Sequence, residues 1–471
     1  MLLFFENLNI IYTVKGEIML KKNEEYVVEI IDNGYQGEGI AKIENIPVFV
    51  EGAIKGEEIK IKIVKVLSNF AYGKILEILK QSDNRTEPDC TSFKRCGGCN
   101  LRHIKYEETL KLKKTIVQNC LYKSLNKAIQ VNDVIGMEEP LNYRNKLQYP
   151  VGLDRDGNKV MGVYSMRSHD IVSVDNCHIQ NKQCNDIAND IFQFIKDNNI
   201  SVYNEKTLKG TVRHIIIRIG IKTNEVLVTL VLNDDDFKKE KEFIEFIINK
   251  YPNIKTIAEN YNMKNTNVIL GDKTKIIYGP GFIYDILDNY KFKISPLSFY
   301  QVNPIQTEIL YNIAIKHVGE GTVSARTALD LYCGIGTIGI FAAKHFKKVY
   351  GIEIIPEAIE NAKENAEINN INNIEFYAGD VEKILPKIIE KNNIAPSVVF
   401  VDPPRKGLDK NTINLLCNLE PKKIIYISCN PATLARDIAL LKDKYELKQV
   451  QPVDMFPYTS HVECVAVLQL K

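Results

Sequence analysis

The sequence that decides the fold is the run at residues 327–339, TALDLYCGIGTIG, in which an apolar segment ends at a glycine-rich turn. Its first half is typical of a buried strand, and the spacing Gly334-x-Gly336-x-x-Gly339 is typical of a loop that lets backbone approach a ligand. Glu353 ends the next apolar segment, KVYGIEI, where a carboxylate can bind the two hydroxyls of a ribose. The pattern predicts a site for an adenosine-containing cofactor and fits a dinucleotide or S-adenosylmethionine equally well.

Strand-like and helical segments alternate from about residue 299 to the end of the chain. Apolar runs at 348–354, 373–380, 397–404 and 423–430 are separated by segments with helical spacing. This alternation predicts a doubly wound, mostly parallel sheet with helices on both faces. Because ligands bind beyond the carboxyl ends of such strands, the glycine loop and the residues that end the later strands should share one edge.

The stretch ISCNPATLARD, residues 427–437, places Cys429 where a strand stops, since Asn-Pro cannot extend a strand pattern. The last apolar run, HVECVAV at 461–467, follows the preceding strand after a short loop, so we expect it to return antiparallel. An antiparallel strand begins at the edge where its parallel neighbours end. Glu463 and His461 should therefore enter at the same rim as Cys429, although a structural hydrogen-bonding role is the expectation for His461.

Asp402 ends the run SVVFV and is followed by two prolines. Proline fixes φ and removes a backbone donor, so Asp-Pro-Pro makes a rigid shelf at the tip of the strand. This shelf resembles the (Asn/Asp)-Pro-Pro element of many methyltransferases. Nicotinamide enzymes have no general need for it, so the shelf favours S-adenosylmethionine over a dinucleotide.

At 471 residues the chain is too long for one ordinary domain, and its formal net charge of +2 excludes a uniformly basic nucleic-acid binder. Residues 91–123 nevertheless hold eight Lys and Arg against two acids, which predicts a surface that faces polyanions. Residues 352–394 hold nine acids against four lysines. No run reaches the roughly 18 apolar residues of a spanning helix, so we expect a cytoplasmic protein without a membrane partner.

Five short alternating strands with glycine turns, between about residues 22 and 80, predict a small OB-like β-barrel. Such barrels often bind oligonucleotides, but a packing module has the same pattern. The polar segment QSDNRTEPDC follows as a linker, and strands mixed with helices up to about residue 290 predict an α+β region.

Three cysteines lie close together in the pattern Cys90-x5-Cys96-x2-Cys99, and Cys177 is the best fourth partner. Cys-x2-Cys is the general pattern of a tetrahedral zinc site. The spacing alone does not separate zinc from an iron-sulfur cluster.

Four segments in order, DLYCGIGTIGI, VDPPR, SCNPATLARD and HVECVAVL, resemble the RNA 5-methyluridine (uracil-5) methyltransferase family. The resemblance runs from about residue 22 to the C-terminus, and the upstream barrel resembles the family's TRAM domain. It implies a multidomain α/β protein with an N-terminal extension (1–21), an OB-like TRAM barrel (22–81), a central α+β RNA-binding domain (82–290) and a Rossmann-like S-adenosylmethionine-dependent methyltransferase domain (291–471).

The resemblance also implies a chemistry, in which Cys429 adds to carbon 6 of uracil and Glu463 later removes the proton from carbon 5. By the same motif matching, six residues are expected to bind S-adenosylmethionine: Gln301, Tyr332, Thr337, Glu353, Asp380 and Asp402. The cysteines Cys90, Cys96, Cys99 and Cys177 resemble the 4Fe-4S site of the rRNA members, with zinc as the alternative.

The implied substrate is a uridine of 23S rRNA, because barrel and cysteines accompany the rRNA branch of the family, and the enzyme is expected to be a monomer. The tRNA T-loop uridine is the alternative within the same chemistry. An NAD or iron-sulfur oxidoreductase is the alternative from another class, but it leaves Cys429 and Glu463 unexplained.

Overall fold

The computed structural model describes residues 20–166, 168–235, 237–318 and 326–471, so nearly all of the predicted extension 1–21 lies outside the described residues. Over the described residues 20–80, six strands form one sheet in the order β1-β5-β6-β4-β3-β2. They are β1 (Glu25–Glu29), β2 (Asp32–Asn33), β3 (Gly39–Ile43), β4 (Ile46–Val50), β5 (Glu58–Val66) and β6 (Ala71–Lys80). The sequence predicts five of them and misses β2, because two residues are too few to show alternation.

A second sheet dominates the centre of the chain, in the order β13-β12-β11-β10-β7-β8-β9. Its strands are β7 (Lys146–Leu153), β8 (Lys159–Tyr164), β9 (Ile171–Ser173), β10 (Val212–Ile219), β11 (Val226–Leu232), β12 (Ile254–Tyr261) and β13 (Lys273–Tyr278). The helices of this part are α1 (Tyr106–Leu125), α2 (Lys182–Asp197) and α3 (Glu240–Lys250). Apolar residues of α2 and α3 pack on the sheet in one core, as the predicted α+β pattern requires. A hairpin of β14 (Ile283–Leu287) and β15 (Tyr290–Ile294) follows.

The C-terminal part contains the predicted doubly wound sheet, in the order β18-β17-β16-β19-β20-β22-β21. Its strands are β16 (Thr327–Leu331), β17 (Lys348–Glu353), β18 (Ile374–Ala378), β19 (Val398–Val401), β20 (Lys423–Ser428), β21 (Tyr445–Val453) and β22 (Glu463–Leu470). Strands β16 to β20 pair in parallel, whereas β22 pairs antiparallel with both β20 and β21. The prediction of an antiparallel last strand is therefore confirmed.

Helices cover both faces of this sheet, and the alternation of side chains along each strand explains why. In β19, Val398 and Phe400 join one core, while Val399 and Val401 join the core on the other face. The helices are α4 (Pro304–Lys316), α5 (Thr337–Ala342), α6 (Pro356–Ile368), α7 (Val381–Asn392), α8 (Lys410–Leu419) and α9 (Pro431–Leu441), with a 3-10 turn at Ala343–His345. A strand that is apolar on both faces must be covered by helices on both faces to be shielded from water.

The segment that the sequence presents as a linker is docked against the barrel. The Arg85 guanidinium donates to both carboxylate oxygens of the buried Glu57, at 2.6 and 2.7 Å, and also to the carbonyl of Gly52. A bidentate pair of this kind fixes direction as well as distance.

In the described part of the chain no helix is both long and apolar enough to span a membrane.

Candidate active site

A cleft of about 1270 Å³ opens at the carboxyl ends of the parallel strands. The eight residues predicted to act in catalysis or cofactor binding all line it: Gln301, Tyr332, Thr337, Glu353, Asp380, Asp402, Cys429 and Glu463. They come from the carboxyl ends of five parallel strands, from the start of the antiparallel strand β22 and from the segment before α4, so the rule for open α/β sheets locates this site correctly. His461 also lines the cleft. The cysteines of the predicted metal site do not line the cleft.

The register of β20 and β22 brings the thiol and the carboxylate together. Ile427 pairs with Val465 and Ser428 with Cys464, so Cys429 directly follows the last pair and Glu463, the first residue of β22, is the residue that continues the register. Directly opposite residues of an antiparallel pair present their side chains on the same face. Glu463 is 4 % exposed, whereas Cys429 is partly open to the cleft. A ligand can thus reach the thiol while the carboxylate stays away from water.

The strand stops at Cys429 because the next residue begins a helix. The Asn430 side-chain oxygen accepts a hydrogen bond from the Ala432 N–H at 3.0 Å, which caps α9, and Pro431 occupies its first turn. The Asn430 amide also donates to the carbonyl of Arg405 at 3.1 Å. This bond ties the loop after β20 to the Asp-Pro-Pro loop after β19, and so holds Cys429 beside Asp402.

The glycine loop joins β16 to α5. The Gly334 N–H donates to the Glu353 carboxylate at 3.1 Å, and Ile355 N–H donates to its other oxygen. Gly336 has a φ of 82°, and a Cβ there would lie 2.7 Å from the ring of Phe376, so only glycine fits. The loop is therefore held in one conformation, with Glu353 at its mouth.

Three carboxyl groups in or next to the cleft, the buried Asp330 and Glu463 and the half-buried Asp402, give it its electrostatic character. Burial raises the pKa of Asp330 to about 8, that of Asp402 to about 7 and that of Glu463 to about 8. The charge of Asp402 adds to the shifts of the other two. Carboxylates crowded in this way favour a cationic ligand, which would lower all three pKa values.

The same carboxylates disfavour a thiolate at Cys429, because a thiolate is an anion. Burial raises the pKa of Cys429 to about 11, with further contributions from Glu463 and Asp402. Arg405, next to the Asp-Pro-Pro shelf, acts in the other direction on both Cys429 and Glu463. The motif VDPPR contains Arg405 but gives no signal of its role, and the structure places it at the rim of the cleft as a cation.

The remaining cofactor candidates are held by local contacts. Asp380 caps α7 by accepting from the Glu382 N–H at 3.3 Å, and Thr337 is the first residue of α5. The carbonyl of Gln301 accepts from the Asn145 side chain at 3.0 Å, which links the cleft to the central domain. The Tyr332 hydroxyl lies 3.4 Å from that of Thr412.

Sequence reasoning misses the support beneath the loop between β21 and β22. The Lys113 ammonium donates to Asp454 at 2.5 Å, both side chains are fully buried, and Tyr106 donates to the second carboxylate oxygen at 2.9 Å. Lys113 also donates to the carbonyl of Phe456. This network fixes the chain that leads into Glu463, and removing one partner of such a pair is strongly destabilising.

The prediction of a basic surface at residues 91–123 changes at two positions. Lys113 is fully buried, and Arg102, 4 % exposed, pairs with Asp89 at 2.6 Å. Two of the eight basic residues are thus buried in ion pairs. The sequence could not show this, because an isolated lysine or arginine gives no sequence signal for burial.

The predicted metal cysteines lie on the Cys-rich loop (residues 90–99) and near the start of α2. Gly98 N–H donates to the Cys96 sulfur at 3.3 Å, and Cys99 and Cys177 pack against the same small core of Met137, Tyr143 and Ile179. Among the residues that the structure describes, however, no three His, Cys, Asp or Glu side chains are close enough to hold a single metal ion.

Comparison with known families agrees with this geometry. The family model described as tRNA (Uracil-5-)-methyltransferase matches residues 105–471, and the TRAM domain model matches residues 20–76. The chain belongs to the tRNA (uracil-5-)-methyltransferase family. It is therefore an RNA (uracil-5-)-methyltransferase that depends on S-adenosylmethionine.

Relatives of this methyltransferase match it over almost its whole length. An uncharacterized RNA methyltransferase of Clostridium acetobutylicum is 48 % identical over 96 % of this chain and 98 % of its own. One from Oceanobacillus iheyensis is 44 % identical with the same coverage. The crystal structure of Pyrococcus abyssi tRNA (uracil-54, C5)-methyltransferase with S-adenosyl-L-homocysteine has a TM-score of 0.74, with 27 % identity over 94 % of this chain and all of that one.

Proposed function

We propose that this methyltransferase modifies carbon 5 of a uridine in 23S rRNA through a covalent adduct with Cys429. The observation that carries the proposal is the register of β20 and β22, which sets the thiol opposite Glu463 at the mouth of the cofactor cleft. Each of the two side chains alone has a structural explanation. Together, beside the Asp-Pro-Pro shelf, they supply the nucleophile and the base that this reaction needs.

Carbon 5 of uracil is a weak nucleophile, so the reaction begins at carbon 6. The Cys429 thiolate adds there, and the electron pair of the 5,6 double bond moves to carbon 5 and its enolate oxygen. S-Adenosylmethionine, when bound, supplies the methyl group that carbon 5 takes. Because the pKa of Cys429 is raised in the free cleft, the positive charge of Arg405 has to offset the neighbouring carboxylates while the thiolate forms.

The proton on carbon 5 must then leave before the thiol can be released. Glu463 is the base in our proposal, because its carboxylate faces Cys429 in the register and its pKa of about 8 suits proton removal near neutral pH. As Glu463 takes the proton, the double bond re-forms and the sulfur leaves as thiolate. Asp402, at the tip of β19, lies between the cofactor loop and this pair.

The residues of the cleft suit S-adenosylmethionine. The Glu353 carboxylate at the mouth of the glycine loop would hold the ribose hydroxyls, and the crowded carboxylates complement a sulfonium cation. Gln301, Tyr332, Thr337 and Asp380 complete the proposed binding set on the walls of the same cleft.

The 23S assignment rests on the resemblance of the barrel and the cysteine pattern to the rRNA members of the family, and the N-terminal parts also contact the catalytic rim. The Asn100 side chain, next to the cysteine loop, bonds both the N–H and the hydroxyl of Ser460, three residues before Glu463. We propose that the extension 1–21, barrel 22–81, central domain 82–290 and catalytic domain 291–471 act together on a folded rRNA segment.

Mapping 5-methyluridine by mass in 23S rRNA and tRNA, from cells with and without the gene, tests the substrate. We expect one or more 23S fragments to lose the mass of a methyl group when the gene is deleted, with tRNA unchanged. Loss of the methyl group from tRNA alone would contradict the rRNA assignment.

A tRNA uridine is the second candidate, favoured by a specific observation. The Pyrococcus abyssi protein, named as a tRNA (uracil-54, C5)-methyltransferase, covers 94 % of this chain. A similar overall architecture therefore occurs in an enzyme named for tRNA, and the same mapping experiment decides between the two.

We also propose that Cys90, Cys96, Cys99 and Cys177 hold a 4Fe-4S cluster. The thiols of Cys96, Cys177 and Cys90 all act on the pKa of Cys99, so the four face one region. In the described part of the chain these side chains do not form a ready site for a single ion. The resemblance to the rRNA members of the family favours the cluster over zinc.

Metal analysis of anaerobically purified protein tests the cluster. We expect about four iron and four sulfide per chain, loss of both in Cys99→Ala, and retention of both in Cys184→Ala, which changes a buried thiol of α2 outside the set. One zinc per chain, or iron that survives Cys99→Ala, would contradict the proposal.

A further inference from the structure

The turn between β2 and β3 of the barrel (residues 34–38) reaches the catalytic loop. The Tyr35 hydroxyl donates to the side-chain oxygen of Asn430 at 3.1 Å, and Asn430 directly follows Cys429. The two residues are 395 positions apart. A domain outside the methyltransferase fold thus touches the residue next to the nucleophile.

The turn is fixed at a second point. The Asn100 amide donates to the carbonyl of Gln36 and is itself bonded to Ser460, while Leu101 N–H donates to the carbonyl of Tyr458. Gly37 has a φ of +87°, and a Cβ there would lie 2.3 Å from the Leu101 side chain. The turn is therefore held between Asn430 after β20 and residues 100–101, which bond the loop between β21 and β22.

The ring of Tyr35 is left open by these contacts. Its hydroxyl is engaged, yet the residue remains 46 % exposed. A tyrosine that served only as a brace could bury its ring to gain apolar contact. Tyr35 does not itself line the cleft, but its bond to Asn430 holds this partly exposed aromatic residue beside the loop that carries the nucleophile.

The charge around this face suits RNA. Apart from three thiols, the charged group that acts on Tyr35 is Arg405, an exposed cation of the rim. Single-stranded nucleic acid is bound by aromatic rings that stack on bases next to cations that contact phosphates. A uridine drawn into the cleft leaves its neighbours unstacked, and such a base needs a new stacking partner.

We propose that Tyr35 stacks on the nucleotide that flanks the extruded uridine, so that the barrel takes part directly in substrate recognition. The inference rests on the proposed entry of uracil at Cys429, and it holds for rRNA or tRNA alike.

Kinetics on RNA from cells that lack the gene tests this role. We expect Tyr35→Ala to raise KM for RNA, and the dissociation constant by filter binding, by about 5- to 150-fold, the range for loss of one base-aromatic stack. Tyr35→Phe keeps the ring and should stay near the wild type, and KM for S-adenosylmethionine should not change. Tyr278→Ala is the matched control, because Tyr278 is a 37 % exposed tyrosine of β13 in the central sheet that does not line the cleft.

Two results would overturn the inference. One is unchanged RNA affinity in Tyr35→Ala. The other is a loss of kcat in Tyr35→Phe as large as in Tyr35→Ala, which would make the hydroxyl a brace for Asn430 and the ring irrelevant. Full turnover by Cys429→Ala in the same assay would instead count against the proposed function, and the binding comparison of the Tyr35 variants would still decide this inference.

Discussion

Replacing Cys429 with alanine is expected to lower methyl transfer to RNA by on the order of 10⁴-fold or more and to abolish any covalent protein-RNA adduct. The physical reason is that carbon 5 of uracil becomes nucleophilic only after a group has added to carbon 6. Alanine keeps the cap of α9 and the pairing of β20, because neither uses the thiol. Transfer of a labelled methyl group and denaturing gels that detect the adduct measure the two effects.

Cys417→Ala is the matched control, because Cys417 is a partly exposed thiol of α8 that does not line the cleft. We expect this variant to keep both turnover and adduct. Binding of S-adenosylmethionine should also persist in Cys429→Ala, which separates loss of the nucleophile from loss of the cleft. Turnover by Cys429→Ala at the wild-type rate would refute covalent catalysis at this position.

Much of the catalytic domain follows from local sequence. Cys429 is predictable because Asn-Pro ends an apolar run, and Glu463 because a short loop forces the last strand to return antiparallel. The carboxyl-edge rule then brings both to the glycine loop. These inferences depend on period, turn chemistry and handedness, which neighbouring residues determine.

The contacts between domains do not follow in the same way. Nothing near Tyr35 distinguishes it from any tyrosine of a barrel turn, since its partner Asn430 is remote in sequence. Lys113 presents as a solvated helix residue, yet it is buried against Asp454 because the loop after β21 closes over it. Long-range pairing of polar groups depends on how folded domains pack against each other, and a local sequence pattern does not predict that packing.

These hidden ties bear on how the site works. Lys113 and Tyr106 hold Asp454, Asn100 holds Ser460, and Asn430 links to both Arg405 and Tyr35. The loops that carry Cys429 and lead into Glu463 are thus held by hydrogen bonds to residues outside the sheet. A site that must align sulfur, base and methyl donor gains rate from such preorganisation, which gives the non-catalytic parts of the chain a role in turnover.

Replacing Glu463 with glutamine is expected to stall the reaction after methyl transfer, so that the Cys429 adduct accumulates while turnover falls by about 10²- to 10⁴-fold. Glutamine has nearly the same shape but cannot accept the proton from carbon 5, and the sulfur cannot leave until that proton is gone. In the wild type the base is the ionised form. With a pKa of about 8, raised first by burial and then by Asp402, the rate of adduct breakdown should rise about tenfold from pH 7 to pH 9.

Adduct breakdown in Glu463→Gln should lack this rise, whereas Glu446→Gln, which changes an exposed carboxylate of β21, should behave like the wild type. The pH profile is the sharper measurement, because a merely structural glutamate would alter the amplitude of the rate and leave its pH dependence in place. Breakdown of the adduct that is as fast in Glu463→Gln as in the wild type, with the same pH dependence, would assign the proton to another group. Asp402 would then be the next candidate, since its pKa of about 7 would move the rise to lower pH.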